Sequence, residues 1–160
     1  MGKLTACIVQ GIENAREFDD FSEFIWMAGD LIRKSTGMEY HSGFEEVDRE
    51  EVSEAEGKLL KEAILRALPR NSDPAYVGSL LSALRQTFDP DLLPLWNQYL
   101  AKYLGLMKQS SALVFNILLA LGDLGQPVFQ GRRARCVVDM EVNLNEADAY
   151  LLKRGVKIQW

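Results

Sequence analysis

The chain has little of the residues that carry most recognisable chemistry. One histidine, His41, and two cysteines, Cys7 and Cys136, stand in 160 residues. The cysteines form no C-x-x-C pair, so neither a zinc nor a redox spacing exists. Two isolated thiols in a chain of this length read as reduced, which points to the cytoplasm. No nucleophile elbow, phosphate-binding glycine loop or dinucleotide fingerprint occurs, so the enzyme reading is the weaker one and no cofactor is expected. Long apolar runs are also missing. The longest, Ala112 to Leu121, is broken by Asn116 and is too short to cross a bilayer. The opening "MGKLTACIVQG" holds only Ala6 to Val9 as an apolar run, so no signal-peptide core is expected there. Positive charge is scarce as well. The formal net charge is −5, which argues against direct binding to nucleic acid or to an anionic membrane.

What is present is helical periodicity. The hydrophobic fraction of 48% is that of an ordinary globular protein, and one domain over 1–160 is the prior. Phe21, Phe24, Ile25, Ala28, Leu31 and Ile32 form one stripe of a helix that Gly37 closes. "DREEVSEAEGKLLKEAILRALPR" reads as a long helix capped by Asp48, with Leu59, Leu60, Ala63, Ile64, Ala67 and Leu68 buried and Pro69 ending it. Asp73 and Pro74 open a third helix, lined by Tyr76, Val77, Leu80, Leu81, Leu84 and Phe88. A fourth starts in "TFDPDLLPLW" and carries Leu92, Leu93, Trp96, Tyr99, Leu100 and Tyr103 on one face. A cap at Asp89 puts Pro90 at the first helical position and kinks the helix at Pro94. A cap at Asp91 makes Pro94 harmless. "SSALVFNILLALGDLG" is apolar nearly all round, as a helix sandwiched in a core would be.

After Gly125 the period changes. "CVVDMEV" and "GVKIQW" alternate with period two, and "NEADAYLLKRG" between them reads as a short helix closed by Gly155. The fold expected is therefore mainly α, built of antiparallel helical hairpins, with a small strand-helix-strand tail over 130–160. "KLTACIV" is a candidate third strand.

Two Asp-Pro helix starts, at Asp73 and Asp89, are joined by short connections, which favour antiparallel neighbours. "SALRQTFDPDLLPLWNQYL" resembles a HEAT-like helical repeat pair, with Ser82, Ala83, Leu84, Asp89, Pro90, Pro94, Leu95 and Leu100 in place. "LVFNILLALGDLGQPVF" looks like the first helix of a following repeat. The resemblance spans about Asp73 to Phe129 and departs where "RQTF" replaces the usual glycine-containing turn. It implies stacked helices that present a surface to another protein; an irregular bundle is the alternative.

The candidate site is acidic. Glu39 to Glu56 holds eight acids and a single Arg49. Glu45, Glu46, Asp48, Glu50, Glu51 and Glu54 form a negative run suited to steering a basic protein partner. A small acidic inhibitor of the bacterial immunity-protein type fits that description. The alternative is a metal-dependent hydrolase using His41 and the carboxylates from Glu45 to Glu54. The all-α nucleotide pyrophosphohydrolases place an E-x-x-E helix before an E-x-x-D helix. Here Glu45 and Asp48 come first and Glu51 and Glu54 second, on one segment. A structural subunit of a homo-oligomer is the third reading. Arg132, Arg133 and Arg135 in "GRRARC" lack the wider basic field and stacking aromatics of a nucleic-acid site. Trp96, Tyr99 and Tyr103 share a helix face and read as core, or as an interface strip should that face lie outward. Asn116 reads as a satisfied core amide or a contact specifier between helices.

Overall fold

The computed structural model describes residues 2–14, 18–36, 52–106, 110–129 and 140–160, with the side chains of 18–21 and 140 left aside. These residues form seven α-helices: α1 (Lys3–Asn14), α2 (Phe18–Thr36), α3 (Glu54–Ala67), α4 (Pro74–Arg85), α5 (Leu93–Leu104), α6 (Ser111–Asp123) and α7 (Met140–Leu152). Short 3-10 turns, Leu68–Arg70 and Pro90–Leu92, follow α3 and precede α5. No strand occurs among the described residues, so the class is mainly α. The described residues divide into two compact units, those up to Thr87 and those from Phe88 on.

In the first unit α2 packs on α1, α3 and α4, and α3 also packs on α1 and α4. The candidate strand "KLTACIV" is helix α1. Extended through Asn14, its inward residues are Thr5, Ile8 and Ile12, a helical spacing that the shorter window does not reveal. Glycines set how closely the helices approach. A Cβ on Gly57 would sit 2.6 Å from Cβ of Ser35, and one on Gly11 would sit 2.5 Å from the Phe24 ring. A Cβ on Gly29 would meet Cα of Ala83 at 3.3 Å. Around these contacts Ile25, Ala28, Ile32, Leu60, Ala63, Ile64, Val77, Leu80 and Leu84 are removed from water. Each large apolar side chain so buried is worth about 1.5–3 kcal/mol.

The start of α3 differs from the expected one. Val52 and Ser53 are not helical, and Ser53 rather than Asp48 caps the helix. Ser53 Oγ accepts from the Glu56 N–H at 3.2 Å, and the Ser53 N–H donates to Glu56 Oε2 at 3.1 Å. This reciprocal box satisfies two donors at once, which fixes the boundary. Leu59, expected inside, is 38% exposed, and Gly57 takes the buried position instead. Helix α4 begins as expected: the Asp73 carboxylate accepts from the Ala75 N–H at 2.8 Å, with Pro74 behind it.

The second unit opens at Phe88, the one non-glycine residue with positive φ among those described, at 47°. It is the last residue of "RQTF", where a glycine would be the unstrained choice. Asp89 caps the 3-10 turn through its carboxylate, which accepts from the Asp91 N–H at 2.9 Å. Helix α5 then starts at Leu93, with Pro94 in its first turn, where the missing N–H leaves no bond unmade. The two sequence alternatives thus merge: Asp89 caps, yet Pro94 is harmless, because the 3-10 turn absorbs the first proline.

Helix α5 packs on α6. Trp96, Leu100 and Tyr103 are buried, as are Leu113, Val114, Ile117, Leu118 and Leu121 of α6. The strand-containing tail is not found among the described residues. Residues 130–139 lie outside the description, α7 takes in Met140 to Val142, and residues 156–160 run without a strand partner. A strand is stable only with neighbours to pair with. Asn143, Ala147, Tyr150 and Leu151 are the buried residues of α7, so a 3.6-residue period governs the segment.

Gly125 (φ 85°) and Gly155 (φ 73°) end α6 and α7 in the same way. The Gly125 N–H donates to the Gly122 carbonyl at 3.0 Å and the Gln126 N–H to the Leu121 carbonyl at 3.0 Å. Gly155 to Leu152 and Val156 to Leu151 repeat the pattern, each at 3.0 Å. These are Schellman closures, in which a left-handed residue satisfies the last free carbonyls. They turn the chain so that Val128, Phe129 and Ile158 are buried. Gly155→Ala is expected to lower the urea midpoint by an amount equivalent to about 1–2 kcal/mol, because only the backbone conformation is penalised. There is open space where the methyl would go, so an unchanged midpoint would sink that assignment.

Candidate functional site

His41, Glu45, Glu46, Asp48, Glu50 and Glu51 lie outside the described residues, as do Tyr40, Phe44, Cys136 and the arginines Arg132, Arg133 and Arg135. Glu54 is described. It is the first residue of α3 and is exposed, with its charge at the helix N-terminus, where the macrodipole favours it.

Glu56, the last acid of the same run, does a structural job. Besides the box with Ser53, its Oε1 accepts from the Gly2 N–H at 2.8 Å and from the Thr5 hydroxyl at 3.0 Å. The carboxylate thereby ties the start of α1 to the start of α3. Farther along, Arg66 of α3 pairs with Glu13 of α1 at 2.7 Å, so the two helices run parallel. The Gly2 and Ser53 N–H groups, followed by the Thr5 and Ser53 hydroxyls, hold the Glu56 carboxyl down at about 2. Its folded value lies below the ordinary 4.5, so its stabilisation is complete above 4.5 and fades as pH falls toward 2. Glu56→Gln is expected to be less stable at neutral pH, since an amide has one accepting oxygen where four donors converge. The gap between the two proteins should close between pH 5 and pH 2 in urea titrations. A gap independent of pH would remove the carboxylate from this role.

The aromatic strip on α5 resolves as core. Trp96 and Tyr103 are buried, and Tyr99 is half-buried and stacked on Tyr103 with ring centroids 6.2 Å apart. Burial raises the Tyr99 hydroxyl above its usual pKa. Asn116 is half-buried, so it is not fully enclosed in the core. Cys7 is exposed on α1. Among the described residues no three His, Cys, Asp or Glu side chains converge to hold a metal ion, and no helix is long and apolar enough to cross a membrane.

One feature stands apart from the core-forming pattern. Trp26, on α2, is 76% exposed, the highest value of any large apolar residue described. Isolated exposed leucines such as Leu4 and Leu59 need no explanation. An indole carries far more apolar area, and leaving it in water forgoes a large burial gain. Trp160, 36% exposed, shows how this fold anchors a tryptophan near the surface. Its Nε1 donates to Asp148 Oδ1 at 2.6 Å, and its ring meets Phe115 edge-on with centroids 5.6 Å apart. Among the described residues no such anchor is seen for Trp26.

Its surroundings follow from helical spacing. Glu23, three residues earlier, is exposed and shares its face. Asp30, four residues later, is held by Arg33 and, at 3.5 Å, by Lys34. The sequence signal for this surface was the omission of Trp26 from the apolar stripe of Phe24, Ile25, Ala28, Leu31 and Ile32. A tryptophan off the stripe of an amphipathic helix must face outward. No family model, no curated protein and no solved structure matches the chain.

Proposed function

We propose that the chain is a non-enzymatic protein-binding module that uses the outward face of α2. The observation that carries this reading is Trp26, an indole 76% exposed on a helix whose opposite face is core. Tryptophan is the residue most enriched among interface hot spots, where a partner's pocket recovers the burial that the free protein forgoes. The acidic balance of −5 adds a preference for a basic partner. A small inhibitor of the bacterial immunity-protein type, with Glu45, Glu46, Asp48, Glu50, Glu51 and Glu54 joining the contact, is the narrower form of the proposal. A HEAT-like pairing over Asp73–Phe129 belongs to the same reading, since stacked helices present extended faces. The hydrolase alternative draws no specific support, because His41 and five of its carboxylates lie outside the described residues.

The test is affinity capture from the native cell with the wild-type chain and with Trp26→Ala in parallel, together with mass measurement in solution. A protein held by the wild type and lost with Trp26→Ala supports the proposal. Capture of nothing by either chain, together with a monomeric mass, overturns it.

A further inference from the structure

Resting on that reading, we infer that the Trp26 face receives an arginine side chain from a basic segment of the partner, with the guanidinium lying on the indole and pairing with Glu23. Three observations converge on this occupant. First, the chain lays its own cations on three of its tyrosine rings, the buried Tyr103 and Tyr150 and the half-buried Tyr99. Arg154 lies over Tyr150 at 3.6 Å, and Lys102 lies over Tyr99 and Tyr103 at 5.6 and 5.7 Å. Trp26 offers the best π face of all and carries no such cation from the described residues.

Second, the nearest cations on its own helix are committed elsewhere: Arg33 and Lys34 both hold Asp30. Glu23 makes no ion pair with any described residue and is exposed, so a carboxylate stands ready one turn from the indole. Third, the sign is right at long range, because a chain with net charge −5 attracts a basic segment and repels an anionic surface. Arginine fits better than lysine. Its flat guanidinium stacks on an aromatic face while its edge donates two parallel bonds to a carboxylate, which a point-like ammonium cannot do.

The probe is a short arginine-rich peptide, with a lysine-rich and a glutamate-rich peptide as comparisons. The readout is the indole N–H resonance of Trp26, assigned by its loss in Trp26→Ala, alongside calorimetry. The arginine peptide is expected to shift that resonance saturably and to bind more tightly than the lysine peptide. Affinity should fall about tenfold in Trp26→Ala and severalfold in Glu23→Gln, and it should weaken with added salt. Both positions are exposed, so the circular dichroism of either variant should match the wild type.

Equal binding of the arginine peptide to Trp26→Ala overturns the inference. So does equal binding of the glutamate peptide, or a dimer in solution that Trp26→Ala dissolves. A shift of the Trp26 resonance by neutral or anionic phospholipid vesicles, with none from the peptide, overturns it in favour of a membrane. Failure here is separable from failure of the binding-module reading. A native partner captured through Trp26 but unaffected by Glu23→Gln retires the arginine while leaving the module intact.

Discussion

Gly57→Ala is expected to destabilise the protein by about 1–3 kcal/mol, although the same change in an open helix would stabilise it by about 1 kcal/mol. The inversion follows from the crossing of α2 and α3. The new methyl would lie 2.6 Å from Cβ of Ser35, an atom fixed by the backbone of α2 and not by a rotamer choice. The Ser35 hydroxyl stands closer still, donating to the Ile32 carbonyl at 2.7 Å. Turning it away sacrifices that bond without moving the Cβ. The helices must therefore separate, and α2 also carries the packing of α1 and α4. Gly57→Leu should cost more, at least about 3 kcal/mol. Ser35→Gly supplies the control. Added to Gly57→Ala it removes the obstacle, so the double variant should be close in stability to Ser35→Gly alone. Ser35→Ala, which retains the Cβ, should rescue only in part. Urea denaturation of the four proteins closes the cycle. Additive effects of Gly57→Ala and Ser35→Gly would show that the two residues do not meet.

The crossing was not legible in the sequence, and the reason is physical. Gly57 falls inside "SEAEGKLL" with nothing to mark its role, because periodicity reports which face is buried but not how near the next helix comes. What periodicity reports well is the stripe itself. Val77, Leu80, Leu81 and Leu84 of α4, and Leu92, Trp96, Leu100 and Tyr103 around α5, are buried as their spacing requires. Helix ends were legible where one residue decides them, as at Asp73, Gly125 and Gly155. They were misplaced where a pair decides, as with Ser53 and Glu56, whose S-x-x-E signature lay inside an acidic run that drew attention as a charge cluster. In the tail the described part of the alternating run, Met140 to Val142, is the first turn of α7, and so short a piece does not fix its own period. Only the placement of Asn143, Ala147 and Tyr150 separates a helix from a strand. The candidate site was legible in its charge and not in its anchor. Glu56 belongs to the acidic run yet is spent on Gly2, Thr5 and Ser53, whereas Trp26 belongs to no apolar stripe and no motif.

Trp96→Ala is expected to cost about 3–5 kcal/mol, and Trp26→Ala no more than about 0.5 kcal/mol, although the two substitutions delete the same atoms. Trp96 is 2% exposed on the inward face of α5, beside Leu92, Leu100 and Tyr103 in the helical repeat. Removing its ring opens a cavity that the close-packed helices can fill only in part. Trp26 is 76% exposed, and its loss returns water to a surface that was already wet. The contrast can be read twice in one experiment. Urea midpoints give the energies, and acrylamide quenching identifies the ring, since Trp26→Ala should abolish the most quenchable emission while Trp96→Ala leaves it. The difference bears directly on function. An indole whose removal leaves the fold unmoved is free to serve the contact proposed for the outward face of α2. Were Trp26→Ala to destabilise the protein as severely as Trp96→Ala, the ring would be part of the core, and the α2 surface would lose its anchor.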